Sequence, residues 1–299
     1  MNIETRGVVY VASFVVLANA NAVFAGHLLQ TVNTFTLLFW SFLIATAFFM
    51  VLFVSTKGAA ALALKKDAIG PVIAVNITGL FMWLGYYNAL RLIEPAIATA
   101  IMSGIGPCVI IAYGFFALKE PIRKDLSLAA LGIFLGALFL GWTSLSGNSG
   151  LSMVSLPAAV LGLACAVGGG TFQALTTVFT KKLGALGWTA NQVMAHRSYL
   201  LILVSLVFAL QGPGLSVASQ NQVLGIAVAT VFGVTLSLWI LQKGILLVPA
   251  FKVTSIISLA PIATLTFQLL DDRISWSNAS AVGCLIVVVF TIYTMKLKL

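Results

Sequence analysis

The stretch EPAIATAIMSGIGPC, Glu94–Cys108, decides the fold because a similar stretch follows 154 positions later as VPAFKVTSIISLAPI, Val248–Ile262. The two align without gaps. Each contains two prolines 12 residues apart, namely Pro95 and Pro107 in the first and Pro249 and Pro261 in the second. A repeat of this kind in a chain of 299 residues indicates that one structural unit is used twice.

The composition predicts a membrane protein. Hydrophobic residues make up 61% of the chain, charged residues 8%, and the mean hydropathy is +1.10. Apolar stretches of about 20 residues, the length that crosses a bilayer, predict ten transmembrane helices and an all-α fold. Their approximate bounds are 7–26, 35–56, 68–90, 95–118, 126–145, 154–180, 191–210, 222–242, 249–270 and 276–295.

Five helices in each repeat is an odd number, so the second repeat enters the membrane from the opposite side to the first. We therefore predict two inverted five-helix repeats, residues 1–147 and 148–299, in one membrane domain. An alternative is a cleaved signal peptide, because the apolar run Val8–Leu17 precedes a run of small residues, Ala18–Ala22. Its removal would leave the sixth helix without a repeat partner, so a retained first helix is favoured.

The basic residues predict the orientation. With a cytoplasmic N-terminus, only Arg91 and Arg273 lie outside. The cytoplasmic loops and ends then hold Arg6, Lys57, Lys65, Lys66, Lys119, Arg123, Lys124, Lys181, Lys182, Lys243, Lys296 and Lys298. Cations beside the inner leaflet explain the net charge of +9 without a nucleic-acid partner. We expect a multi-pass protein of a bacterial inner membrane with both termini cytoplasmic.

The sequence offers no chemistry for an enzyme. Cys108, Cys165 and Cys284 lie within predicted helices at spacings that suit neither zinc nor disulfides. The sequence contains no Walker-type loop, HExxH or GxSxG motif, and its loops are too short for a nucleotide-binding domain. We expect no catalytic residues, metal or cofactor.

Several short motifs resemble the drug/metabolite transporter superfamily, specifically its EamA-type exporters. They are Thr34–Trp40 at the start of the second helix, Tyr87–Leu90 at the end of the third, Ile105–Pro107 within the fourth and Leu118–Pro121 at its end. The chain is most similar to the YddG-type aromatic amino-acid exporters of this family. Two departures lie near the expected cavity: Asn19 and Asn21 replace an aromatic-glycine pair, and Ser41 replaces an arginine common in the family.

Polar residues within the spans are the candidates for a substrate site near the midplane. The repeat offset pairs Asn19 with Gln173, and Asn21 is also near mid-span. These amides could bind substrate or join helices as hydrogen-bonding partners. Four hydroxyl residues within the spans are also candidates: Thr99, Ser103, Ser255 and Ser258. We include the first three among the predicted substrate-binding residues.

Two cations lie within spans, where a charge at the midplane costs about 2.5 to 3.5 kcal/mol. For Lys252 two interpretations stay open, a cavity position and an extended side chain reaching the headgroups. For Arg197 a structural role is favoured. A cation that meets substrate would attract a carboxylate or phosphate. All seven carboxylates lie at helix ends or in loops, which disfavours proton coupling through a carboxylate at mid-membrane.

Aromatic residues could form an apolar substrate pocket. Trp83 and Tyr87 are one helical turn apart and share a face, and Trp239 lies in the eighth span. The alternative is packing or anchoring at the membrane interface. Small residues in the fifth and tenth helices should allow close helix contacts, either within the scaffold or between the two copies of a homodimer. They are Gly132, Gly136, Ala279 and Gly283.

The resemblance implies export by alternating access, with Pro107 and Pro261 interrupting their helices as symmetric hinges. The predicted substrate is a small metabolite, most simply an amino acid with an apolar or aromatic side chain. A sugar-phosphate or nucleotide-sugar exchanger is the main alternative, and it would need more cations in the cavity. An intramembrane enzyme and a non-transporting structural protein are disfavoured.

Overall fold

The computed structural model describes residues 2–58, 62–151, 155–212 and 214–297. Within these ranges the chain is helical, with only an isolated antiparallel bridge between Leu151 and Ile274. Nine helical units of 19 to 30 residues in this part of the chain are long and apolar enough to cross a bilayer, and Asn278–Tyr293 is a shorter tenth. The predicted all-α membrane fold is confirmed.

Each span of the first half is a single helix. These are α1 (Ile3–Leu28), α2 (Thr34–Lys57), α3 (Lys66–Leu92), α4 (Pro95–Leu118) and α5 (Lys124–Leu145). Asparagine side chains begin the first two: Asn2 Oδ1 accepts from the Thr5 N–H at 2.7 Å, and Asn33 Oδ1 accepts from the Phe35 N–H at 2.9 Å. Pro95 begins α4, where its missing N–H costs no helical hydrogen bond.

The second half has less regular spans. The sixth is α6 (Leu156–Ala185), and the seventh is divided into α7 (Ala190–His196) and α8 (Tyr199–Gln211). The eighth runs through α9 (Gln220–Val228), a π-helical segment (Ala229–Leu236) and α10 (Ser237–Leu247). The ninth is divided into α11 (Ala250–Ile257) and α12 (Ala260–Gln268), and the tenth is α13 (Asn278–Lys296). Residue 154, where we predicted the sixth helix to begin, lies outside the described residues.

The helix packing repeats when the two halves are exchanged. α3 packs along α6, and the eighth span packs along α1 in the equivalent way. α4 packs on α5 and α6, as the ninth span packs on α13 and α1. The second and seventh, fourth and ninth, and fifth and tenth spans meet across the halves. This exchange symmetry is the arrangement expected of inverted repeats.

Small residues bring α5 and α13 into close contact, as predicted. A Cβ atom at Gly136 would lie 2.8 Å from Val287 Cγ2, and one at Gly283 would lie 2.4 Å from Leu140 Cγ. The two helices therefore pack at a distance that larger side chains would prevent. This contact joins the last span of each half at the edge of the bundle.

The two repeat prolines have different effects, which corrects the prediction of symmetric breaks. The ninth span is interrupted before Pro261, whereas α4 continues as one helix through Pro107. A proline at 107 cannot donate to the carbonyl of Ser103, four residues earlier. The Ser258 hydroxyl donates to that carbonyl at 2.9 Å. The ninth span thus supplies a hydrogen bond to a carbonyl that has no helical donor in α4.

Candidate functional site

A narrow cavity lies at the centre of the bundle, where the two halves meet. Its solvent-accessible free volume is about 60 Å³ in the conformation described. Both halves supply the lining: α1, α3 and α4 from the first, and the sixth to ninth spans from the second. The lining includes Phe14, Ala18, Asn19, Asn21, Met82, Trp83, Tyr86, Thr99, Met102, Ser103, Gln173, Thr176, Thr177, Arg197, Gly233, Leu241, Gln242 and Ile257.

Arg197 enters the cavity at the break in the seventh span. Asn76 of α3 supports this break from the first half: its Nδ2 donates to the His196 carbonyl at 2.8 Å, and its Oδ1 accepts from the Leu200 N–H at 3.2 Å. One side chain thereby replaces hydrogen bonds that a continuous helix would make. The backbone at the break is thus hydrogen-bonded, and Arg197 is held among the residues that line the cavity.

The eighth span approaches α1 through its π-helical segment. A Cβ atom at Gly233 would lie 2.1 Å from Asn21 Cγ and Nδ2. Only a glycine therefore leaves room for the Asn21 amide at this point of the lining. Single π-helical turns within α-helices are often found at functional sites, and this one brings the backbone of the second half against a polar group of the first.

Three buried side chains of the lining have polar atoms without a hydrogen-bond partner among the described residues. They are Arg197 Nη1, Trp83 Nε1, and both Nε2 and Oε1 of Gln242. Arg197 is 4% exposed, Trp83 7% and Gln242 0%. A buried polar group left unpaired costs about 1–3 kcal/mol, and more if it is charged. These three donor atoms and one acceptor atom therefore lack the partners that a polar ligand or water would supply.

An aromatic cluster forms the wall of the cavity on α3. The ring centroid of Trp83 lies 4.9 Å from Phe42, 5.6 Å from Tyr86 and 5.7 Å from Tyr87. Trp83 and Tyr86 line the cavity, whereas Tyr87 packs behind them at 1% exposure. These contacts hold the indole and phenol rings in place, so an apolar group in the cavity would meet a preformed wall.

The predicted amides and hydroxyls divide between lining and packing. Thr264 Oγ1 donates to Asn19 Oδ1 at 2.7 Å and lies 3.0 Å from Thr99 Oγ1. Asn19 Nδ2 donates to the Val15 carbonyl of its own helix at 2.6 Å. Asn19 and Thr99 therefore line the cavity while joining α1, α4 and the ninth span. Of the ten predicted substrate-binding residues, six are in the lining: Asn19, Asn21, Trp83, Thr99, Ser103 and Gln173.

The other four lie outside the lining, each for a visible reason. Tyr87 is behind Trp83, and Ser255 donates to the Phe251 carbonyl of its own helix at 2.8 Å. Trp239 Nε1 donates to Asn191 at 2.7 Å, and the Lys243 ammonium covers its ring at 3.5 Å from the centroid. Lys252 Nζ pairs with Glu4 Oε1 at 2.6 Å near the N-terminal face.

The sequence favours a structural role for Arg197 and leaves two interpretations open for Lys252. Arg197 lines the cavity and Lys252 is engaged by Glu4. Sequence reasoning also missed Gln242, although a signal for it was present. The offset of 154 that relates Asn19 to Gln173 also relates Asn88 to Gln242, and both are amides within spans.

A network of charged and polar groups joins helix ends at the face opposite the N-terminus. Glu94, which is 0% exposed, accepts hydrogen bonds from the Gly150 N–H at 2.7 Å, Gln268 Nε2 at 2.7 Å and Ser280 Oγ at 3.0 Å. Arg273 Nη1 donates to the Gly26 carbonyl at 2.9 Å. These bonds tie the ends of α1 and α3 to the last two spans of the second half.

Asp271 orients the arginine of this network. Its carboxylate accepts from Arg273 Nε at 2.9 and 3.1 Å and from Nη2 at 2.5 Å. Burial alone would raise the pKa of Asp271, but the side-chain and backbone hydrogen bonds from Arg273 outweigh it and hold the pKa below its usual value. Asp271 therefore remains a carboxylate near neutral pH.

The cavity lining contains one residue that carries a full charge near neutral pH, Arg197, and no carboxylate among the described residues. Nor do the described ranges contain a group of three or more His, Cys, Asp or Glu that could hold a metal ion. The polar groups of the lining are a cation, amides, hydroxyls and an indole N–H, and they are set in an aromatic and thioether wall.

Comparisons with known proteins agree with this architecture. The sequence profile of the EamA-like transporter family matches residues 5–142 and 160–294, one range in each half. The comparison with curated proteins finds no match. A solved structure described only as the crystal structure of a protein is 18% identical to this chain, with a TM-score of 0.72, and the match covers 98% of this chain and 99% of that one. That likeness supports the shared fold alone. Because the family profile covers most of the chain, the protein belongs to the EamA-like transporter family and is a membrane transporter of the drug/metabolite transporter superfamily.

Proposed function

We propose that this transporter exports small metabolites that carry a carboxylate and an apolar side chain, most simply amino acids such as phenylalanine. The observation that carries this proposal is Arg197, a buried cation with an unpaired Nη1 in a cavity whose described lining holds no carboxylate. A charge at this depth is costly unless it is paired. A substrate carboxylate would supply the missing partner.

The distribution of polar and apolar groups supports a substrate with two distinct ends. A Cβ atom at Gly79 would lie 3.6 Å from the Arg197 carbonyl oxygen, so this part of α3 is level with Arg197. Trp83 is one helical turn further along α3, about 6 Å toward the opposite face. A carboxylate at Arg197 would thus leave an attached side chain near Trp83, Met82 and Phe14. These lining residues, with Asn19, Asn21, Thr99, Ser103 and Gln173, form our proposed binding site.

Alternating access is the proposed mechanism, with Pro107 and Pro261 as hinges. The break before Pro261 and the proline within α4 meet through Ser258 and Ser103. A small change at this contact could alter the angle of both helices. Transport down a gradient is the simplest mode, because no carboxylate of the described lining is available to carry a proton.

The cellular setting follows from the charge distribution. Cations such as Arg6, Lys57, Lys119 and Lys182 lie at helix ends on the face of the N-terminus, whereas Arg91 and Arg273 lie at ends on the other face. The bias supports cytoplasmic termini in a bacterial inner membrane. The polar cavity with an aromatic wall supports a place among the YddG-type aromatic amino-acid exporters.

The test is efflux from proteoliposomes loaded with labelled phenylalanine, leucine, a hexose phosphate or a quaternary amine, with and without a pH gradient. We expect phenylalanine and leucine to leave without a gradient. Arg197→Gln should lower their efflux at least about tenfold, a loss of about 1.4 kcal/mol. Lys252→Gln is the matched control, since its partner Glu4 lies outside the cavity, and it should retain efflux.

Three outcomes would contradict the proposal. Exchange of the hexose phosphate without movement of amino acids would favour the phosphate alternative. Movement of the quaternary amine alone would show that the cavity selects cations. Equal losses in Arg197→Gln and Lys252→Gln, with both variants folded by size-exclusion chromatography, would remove the special role of Arg197.

A further inference from the structure

Gln242 is the one side chain of the described lining that is fully buried and has both amide atoms unpaired. Two hydroxyls of the lining are instead bonded to their own helices. The hydroxyl of Thr177 donates to the Gln173 carbonyl at 3.1 Å, and that of Ser103 donates to the Thr99 carbonyl at 2.6 Å. An amide in such a position is costly to bury unless a ligand or water completes its hydrogen bonds.

The position of Gln242 along the eighth span places it at the end of the cavity nearer the N-terminal face. Gly244, two residues further on, packs against α1: a Cβ atom there would lie 3.2 Å from the Val11 N atom and 3.1 Å from the Gly7 carbonyl oxygen. Gly233 of the same span packs on Asn21, nearer the opposite face. Leu241 and Ile245 flank Gln242 in the lining. The amide therefore lies between two apolar side chains of its own span in the lining.

Arg197 and Gln242 offer complementary chemistry in one cavity. The guanidinium can only donate hydrogen bonds, whereas Gln242 Oε1 is an unpaired acceptor. An α-amino acid carries a carboxylate and an ammonium group on neighbouring atoms. The first needs donors and the second needs an acceptor, which is the pairing that these two side chains provide.

We infer that Gln242 recognises the α-amino group of the substrate through Oε1, so that the transporter selects amino acids over carboxylates that lack this group. This inference rests on the proposed function, because it assumes a carboxylate at Arg197. It adds a specificity-determining residue and narrows the substrate class from carboxylates with an apolar side chain to α-amino acids.

The test compares phenylalanine with 3-phenylpropionate, which keeps the carboxylate and ring but lacks the amino group. Wild-type protein in proteoliposomes should move phenylalanine at least about tenfold more efficiently, since a site built to bind a substrate N–H group rejects analogues without it. Gln242→Met keeps a similar volume and removes both amide atoms. It should lower phenylalanine transport about tenfold and leave 3-phenylpropionate within about twofold, so that the preference disappears.

Ser255→Ala is the control, because it removes a hydroxyl that lies outside the lining and is already bonded to its own helix. It should keep the wild-type preference. Gln242→Leu serves as a second variant if Gln242→Met does not yield folded protein, as judged by size-exclusion chromatography and thermal melting. Both variants should lose the preference in the same direction.

The outcomes separate this inference from the proposed function. If wild-type protein moves neither compound, the proposed function fails and Gln242 loses its assigned ligand. If both compounds are transported and Gln242→Met lowers the two transport rates by equal factors, the amide has a structural role in the cavity and does not bind the amino group. That result overturns the inference. A preference that persists unchanged in Gln242→Met and Gln242→Leu also overturns it.

Discussion

The first half of the molecule crosses the membrane on five uninterrupted helices, whereas three of the five spans in the second half are broken or locally rewound. The irregular points all border the cavity: Arg197 at the break of the seventh span, Gly233 in the π-helical segment, and Ile257 and Ala260 on either side of the break in the ninth. The two halves therefore differ at the cavity. The regular half supplies the aromatic wall, and the irregular half supplies Arg197, Gln242 and the interruptions of the helices.

The largest effect on efflux should be the difference between substitutions at two glycines related by the repeat, Gly79 and Gly233. A Cβ atom at Gly233 would overlap the Asn21 amide, while one at Gly79 meets only the Arg197 carbonyl oxygen at an ordinary 3.6 Å. Overpacking of this kind costs about 1–3 kcal/mol. We expect Gly233→Ala to lower efflux by more than about tenfold, and Gly79→Ala to stay within about twofold.

Efflux assays and thermal melting of the two purified variants measure this difference. Both substitutions add one methyl group to a transmembrane helix, so Gly79→Ala controls for the change in side chain itself. Equal losses of efflux in the two variants would mean that both halves tolerate an added methyl group to the same extent. The difference in helix regularity between the halves would then have no counterpart in the packing around the cavity.

The next effect concerns Asn76, the residue of the regular half that supports the break in the seventh span. Asn76→Leu would leave the His196 carbonyl and the Leu200 N–H without their side-chain partner, at about 1–3 kcal/mol for each buried group. We expect a lower melting temperature and reduced efflux, because Arg197 would no longer be held in place.

Asn88→Leu is the matched control on the same helix, since Asn88 Nδ2 donates to the Leu84 carbonyl of its own helix at 2.8 Å. It should leave the melting temperature nearly unchanged. A stable and fully active Asn76→Leu protein would show that the break needs no support from the first half.

A smaller effect is expected at the prolines, and it addresses their role as hinges. Pro261→Ala restores an N–H that can donate to the Ile257 carbonyl, which favours a continuous ninth span. We expect efflux to slow about fivefold with little change in KM, because the change affects a conformational step. Pro107→Ala should also slow efflux, but only by about twofold, since α4 is already continuous. Initial rates over a range of substrate concentrations would separate the two parameters, and a larger effect at Pro107 would reverse the assignment.

The sequence predicted those features that depend on hydrophobic length and on the repeat. Ten helices, their inverted order and the close contact of α5 with α13 follow from apolar runs, an odd helix number and small residues at helical spacing. The same reasoning placed six of the ten predicted site residues in the lining, because polar residues at mid-span tend to face a cavity.

The remaining features depend on contacts that a repeat offset does not reveal. Pro107 and Pro261 occupy equivalent positions in the sequence, but α4 is continuous and its Ser103 carbonyl accepts from a hydroxyl of the ninth span. Lys252 lies outside the cavity lining, where it pairs with Glu4, 248 positions earlier. The break at Arg197 depends on Asn76, 120 positions before His196. Symmetry in sequence therefore predicts where helices lie and not how each one bends.

The smallest effect tests how the two halves are joined at the face opposite the N-terminus. Asp271 orients Arg273, which donates to Gly26 at the end of α1. Because the folded protein holds the pKa of Asp271 below its usual value, this contribution to stability is present above about pH 4 and is lost as the pH falls through the folded-state pKa. We expect this contact to contribute about 1 kcal/mol or less to the free energy of unfolding, because Arg273 is partly exposed.

Melting curves in detergent from pH 7 to pH 2.5 measure this contribution as the difference between wild type and Asp271→Asn. The difference should be largest near pH 7 and should shrink below about pH 4. Asp272→Asn, at the exposed neighbouring carboxylate, should follow the wild-type curve. If Asp271→Asn matches wild type across the whole range, the carboxylate does not stabilise this contact, and the hydrogen bonds of buried Glu94 are left as the main tie between the regular and irregular halves at that face.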